Sequence, residues 1–63
     1  MVTLEIKFKS NMKTNKLCVK NNAHDAIKEA IHDCGYAGWL RFIREKSGDL
    51  SAKNDKYVID IMY

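Results

Sequence analysis

The chain opens on a strict alternation. Val2, Leu4, Ile6 and Phe8 are apolar, and Thr3, Glu5, Lys7 and Lys9 between and after them are polar. A period of two sends the two sets to opposite faces of an extended chain, so the pattern predicts a half-buried β-strand. Asn11, Lys13, Thr14 and Asn15 form a turn-prone stretch. Leu17 and Val19 then resume the alternation against Lys16, Cys18 and Lys20. The two segments are expected to pair as a hairpin, with Leu17 and Val19 continuing its apolar inner face. Its outer face would then display Lys7, Lys9, Lys16 and Lys20.

The period changes at Asn22, a residue suited to an N-cap. Ala23, Ala26, Ile27, Ala30, Ile31 and Cys34 recur at helical spacing, and Asp25, Lys28, Glu29 and Asp33 are left for solvent. Asp25 lies in the first turn, where a carboxylate suits the helix dipole. Gly35 is placed to close the helix as a left-handed residue past its end. The Ala/Ile stripe should lie across the sheet.

After the helix the pattern is two-sided. Trp39, Leu40, Phe42 and Ile43 fit one side of a short helix or a strand covered on both faces. The loop that follows, Glu45-Lys46-Ser47-Gly48-Asp49, has the form of a hairpin connection with glycine in the left-handed position, which favours a strand. Residues 49–53 are placed to pair briefly, Asn54-Asp55 to turn the chain, and Tyr57, Ile59, Ile61 and Tyr63 to line one face of a last strand. The expected architecture is α+β: one helix on an antiparallel sheet of about four strands, in the order β-β-α-β-β.

Sixty-three residues make one domain, so residues 1–63 are taken as a single binding unit. Such a chain buries only about 60% of the surface its unfolded form exposes, which leaves little stability for a deep active site. With 46% hydrophobic and 30% charged residues the composition is that of a folded domain rather than a disordered one. No run approaches the roughly 18 apolar residues of a membrane span, and the N-terminus lacks the pattern of a signal peptide. A cytoplasmic location is therefore expected, with Cys18 and Cys34 as free thiols. The net charge is +3, and it is concentrated in residues 1–20, where five lysines face one glutamate. That end could attract nucleic acid or an acidic protein, or serve only solubility.

Catalytic constellations are thin. His24 and His32 are eight residues apart along the helix, about 12 Å, and cannot share a proton-transfer site. No Gly-x-Ser-x-Gly elbow or phosphate loop is present. The cysteines and histidines have no Cys-x-x-Cys or His-x-x-x-His spacing for a metal, and Cys34 falls on the buried stripe. Gly35-Tyr36-Ala37-Gly38 has the spacing of the Gly-x-x-Gly loop of KH-type RNA-binding domains. The second helix of that motif is not evident, and a helix stop followed by a close-packed turn accounts for the glycines.

One concentration of binding-type residues remains. The only two arginines, Arg41 and Arg44, stand beside the only tryptophan, Trp39, with Tyr36 and Phe42 nearby. Trp, Tyr and Arg dominate binding hot spots and also stack on bases and grip phosphates. Covering the core edge is the plainer role for them. In a one-helix fold both faces of such a strand cannot be core, so Trp39 is expected to be partly exposed.

Nine lysines against two arginines, with five asparagines, fit a short reading frame from an AT-rich genome of the kind phages and mobile elements carry. The first expectation is therefore a non-enzymatic modulator or inhibitor that docks on a larger protein through the Trp39/Arg41/Arg44 patch or a sheet edge. It would need no cofactor, metal or membrane. A nucleic-acid-binding module is the alternative, with Lys7, Lys9, Lys16 and Lys20 on phosphates and Trp39 or Tyr36 on a base. A small metal-independent ribonuclease is the second alternative. An open sheet edge also allows a homodimer by strand addition.

Overall fold

The computed structural model describes residues 1–35 and 40–63. Strands β1 (Val2–Phe8) and β2 (Thr14–Lys20) precede helix α1 (Ala23–Ala30), which runs on into a π-helical turn at Ile31–Gly35. Strands β3 (Ile43–Arg44), β4 (Leu50–Lys53) and β5 (Tyr57–Met62) follow. They form one sheet of five strands in the order β2-β1-β5-β4-β3, with every pair antiparallel. The expected α+β class holds. The strand count is corrected from about four to five, because Leu50–Lys53 is a full partner of β5 and pairs on its other side with the short strand Ile43–Arg44.

The core lies between α1 and one face of the sheet. Leu4 and Ile6 of β1 and Ile59 and Ile61 of β5 are its fully buried large side chains, each contributing roughly 1.5–3 kcal/mol through burial. Ala26 and Ala30 are also fully buried, and their small side chains let the helix sit close to the strands. Leu40 and Phe42 pack against the same core from the segment after the helix. The opposite face of the sheet has no covering element among the described residues.

Helix α1 starts as anticipated. Asn22 is extended (φ −155°, ψ 171°), and its Oδ1 accepts from the Asp25 amide at 2.9 Å. Its end differs. The chain widens into the π turn and Cys34 stays buried over the sheet, while Gly35 is not in the left-handed region. What Gly35 supplies is space: a Cβ there would meet Leu40 Cδ1 at 3.3 Å and Ile31 Cγ2 at 3.4 Å. The left-handed glycine is Gly48, at φ 94°, in the β3–β4 turn where the sequence places it.

The hairpin β1–β2 carries the main correction. Near its turn Lys7 pairs with Thr14, but the next pair is Ile6 with Lys16, so Asn15 is an extra residue in β2. A regular ladder continued from Lys7 and Thr14 would set Leu17 opposite Leu4 and Val19 opposite Val2. The bulge shifts the count by one, and a one-residue shift turns every later side chain to the other face. Lys16, Cys18 and Lys20 therefore face the helix beside Ile6, Leu4 and Val2. Leu17 and Val19 are turned out, 62% and 60% exposed.

Asn54 joins the end of the sheet to the end of the helix. Its Oδ1 accepts from the amides of Lys56 and Tyr57, which shapes the β4–β5 turn. Its Nδ2 donates to the Cys34 carbonyl at 2.7 Å, satisfying an acceptor at the helix terminus. Asn54→Ala is expected to lower stability by about 1–3 kcal/mol through loss of these bonds, as read from urea denaturation. Asn54→Asp keeps the turn acceptor but sets a carboxylate oxygen against the Cys34 carbonyl in place of the donor, and should also unfold at lower urea than the wild type.

Candidate functional site

The residues singled out by type are scattered by the fold. Lys7 is on the face away from the helix, 3.8 Å from Glu5 Oε1. Lys9 is exposed just after β1. Lys16 and Lys20 are on the helix side, so no four-lysine face exists on the hairpin. Arg41 is exposed before β3. Arg44 Nη1 donates to the Gly48 carbonyl at 2.8 Å, and its guanidinium stands 5.7 Å from the centre of the Tyr63 ring. Tyr36 and Trp39 lie outside the described residues, as does the expectation that Trp39 is exposed.

Lys16 and Lys20 have a different job. Four residues apart on β2, they meet Glu29 and Asp33, four apart on the helical segment. Lys16 Nζ donates to Glu29 Oε2 at 2.6 Å and to Asp33 Oδ2 at 2.5 Å, and Lys20 Nζ lies 2.7 Å from Glu29 Oε1. The side chains are only about a quarter to a third exposed. This ladder closes the helix–sheet seam over the edge strand β2. The bonds to Asp33 and Glu29 raise Lys16 above the usual range, and the bond to Glu29 raises Lys20 less strongly. The bonds from Lys16, joined by Lys20 at Glu29 and by His32 at Asp33, hold the two carboxyls below theirs. A shallow, open groove of about 570 Å³ runs beside it, lined by Val19, Lys20, Asn21, Lys28, Glu29 and His32 among others. Its mixed charges leave it without a preferred ligand sign.

The uncovered face of the sheet is more distinctive. Cross-strand partners share a face, so the register reads out a row: Leu17 on β2, Glu5 on β1, Asp60 on β5, Ser51 on β4 and Ile43 on β3. With strands about 4.8 Å apart, the row spans about 19 Å. Both ends are apolar and open, Leu17 at 62% and Ile43 at 59% exposure. Val19, Thr3 and Met62 form the neighbouring row on one side, and Thr14, Lys7, Val58 and Lys53 the row on the other.

The middle of the row is acidic. Glu5 and Asp60 stand directly opposite each other, an arrangement in which like charges repel. Glu45 joins them by accepting from Ser51 Oγ at 2.6 Å. Glu5 accepts from Thr14 Oγ1 at 2.9 Å. Asp60 accepts no hydrogen bond from any described residue, and its carboxyl is raised above the usual range. Desolvation is the main cause, opposed by Lys7 and reinforced by Glu5, Asp49 and Glu45. The sequence contained all these residues, but nothing in their types or spacing marked them. Only the parity change at Asn15 would have put Leu17 and Val19 on this face.

Comparison with known proteins brings nothing to set beside this geometry, since no family model, curated protein or solved structure matches the chain. Among the described residues no helix is long and apolar enough to cross a membrane, and no group of three or more His, Cys, Asp or Glu is placed to hold a metal.

Two pH effects of opposite sign follow. Glu29 and Asp33 have folded values below their ordinary 4.5 and 3.8. Their contribution is complete above those values and is lost as pH falls through the lower, folded ones. The urea midpoint of the wild type should drop on acidification, and Glu29→Gln with Asp33→Asn should flatten that drop while lowering the midpoint at neutral pH. Asp60 is raised, so its ionised form costs stability at neutral pH, and the cost disappears as pH falls through the folded value. Asp60→Asn should raise the midpoint at pH 7 and leave it unchanged near pH 3.

Proposed function

We propose that this chain is a non-catalytic binding module that docks on a partner protein through the uncovered face of its sheet. One observation carries the reading. In a domain with so small a core, Leu17, Val19 and Ile43 are each about 60% exposed on the same sheet face. Burying the side chains of β2 required only a regular hairpin, and the bulge at Asn15 does the reverse. Half-buried Val58 and Met62 extend the apolar surface between the two edges. Exposed apolar side chains gathered at both edges of one uncovered sheet face favour a docking role for that face. A partner covering it would be modulated by occlusion, without chemistry supplied by this chain.

The nucleic-acid reading loses most of its electrostatic support. Lys16 and Lys20 are neutralised by Glu29 and Asp33, and Lys7 stands beside Glu5. An array of phosphate contacts needs unopposed cations on one surface. Both arginines are exposed, and Arg44 is engaged with Gly48 and Tyr63.

The test is affinity capture with the wild type and with Leu17→Ser/Val19→Ser, which alters only outward side chains of β2. The captured proteins should differ, with the specific partner lost by the double variant at unchanged urea midpoint. Identical captures would remove this face from the interaction. A mobility shift with single- or double-stranded oligonucleotides that weakens steeply with salt would instead restore the nucleic-acid reading.

A further inference from the structure

The uncovered face also restricts the chemistry of its occupant. Its centre holds Glu5 and Asp60 as direct cross-strand neighbours, with Glu45 drawn in through Ser51. Apolar side chains flank them: Leu17 and Val19 on one edge, Ile43 on the other, and Val58 and Met62 on β5. The face's own cations, Lys7 and Lys53, lie in the next row, and Lys7 makes a 3.8 Å ion pair with Glu5. Two of these carboxylates have donors from hydroxyls, Thr14 to Glu5 and Ser51 to Glu45, while Asp60 has none among the described residues.

Three occupants can be weighed on charge. A second copy meeting this face with its own would bring two acidic rows together, which costs free energy rather than gaining it. A nucleic acid would bring phosphates onto carboxylates. A protein surface with lysine or arginine set among aliphatic side chains would match both the acidic centre and the apolar flanks. Resting on the docking role proposed above, we infer that the partner presents a basic, aliphatic patch to this face, with a cation seated between Glu5 and Asp60. Lys7, ion-paired with Glu5, offsets only part of the row's negative charge, so a partner cation seated between Glu5 and Asp60 adds an attraction that a neutral or acidic side chain cannot supply. Asp60, which accepts no hydrogen bond from any described residue, gains a partner from it.

The inference is tested by titrating the nitrogen-15-labelled chain with three blocked peptides of equal length: alternating lysine and valine, glutamate and valine, and serine and valine. The cationic peptide should shift the amides of Thr3, Glu5, Leu17, Asp60 and Met62, and the glutamate peptide should not. Glu5→Gln/Asp60→Asn should weaken cationic binding about tenfold, and added salt should weaken it in the wild type. Serine and lysine peptides binding this face equally well would overturn the basic-partner inference and leave the docking face standing. Shifts by the cationic peptide confined to another surface, or none at all, would overturn the inference too. In that case, captures unchanged by Leu17→Ser/Val19→Ser would remove the docking face as well. A concentration-dependent dimer that dissociates in Leu17→Ser would make a second copy the occupant, against the inference.

Discussion

A single extra residue in β2 controls how this chain distributes its apolar and charged side chains. Strand side chains alternate with a period of exactly two, so inserting Asn15 between the pairs Lys7–Thr14 and Ile6–Lys16 exchanges the faces of everything beyond it. Two consequences are inseparable. Leu17 and Val19 leave the core, and Lys16 and Lys20 enter the space between sheet and helix. Neither could occur without the other, because they occupy alternate positions of one strand.

The second consequence would be costly without compensation, since a charge facing a packed interface needs a partner. The helix provides it at the matching spacing. Glu29 and Asp33 lie one turn apart and meet Lys16 and Lys20, so the seam over the edge strand is closed by ion pairs where apolar packing gives out. Inward-pointing charges also protect an edge strand from accepting a foreign strand. Packing of Ala26 and Ala30 on the isoleucines and Leu4 holds the centre, and Asn54 ties the far end of the helix to the β4–β5 turn. Three kinds of interaction thus fix one helix along its length.

The first consequence is where function is proposed. Apolar side chains that a regular hairpin would bury are on the outside, next to carboxylates that repel each other. Local choices that oppose stability while the rest of the chain is consistent are characteristic of binding surfaces. This face has two such choices in one row.

Much of the fold was legible. The alternation in β1 and β5, the Asn22 cap, the Ala stripe of α1 and the glycine of the β3–β4 turn are local signals, and each depends on period, capping or backbone conformation alone. The candidate site was not legible for the same reason. Which face of β2 is buried depends on the register with β1, a property of two strands and their turn that no residue of either encodes singly. The basic end of the sequence read as a lysine face because lysine count carries no information about pairing partners 13 to 17 residues away. By itself, then, the sequence determined the α+β class, the first hairpin, the helix, the last strand and most of the core, and left the strand count at about four. The tertiary structure decided which side chains are left to meet a partner, because a one-residue bulge and the cross-strand row it exposes exist only once the strands have paired.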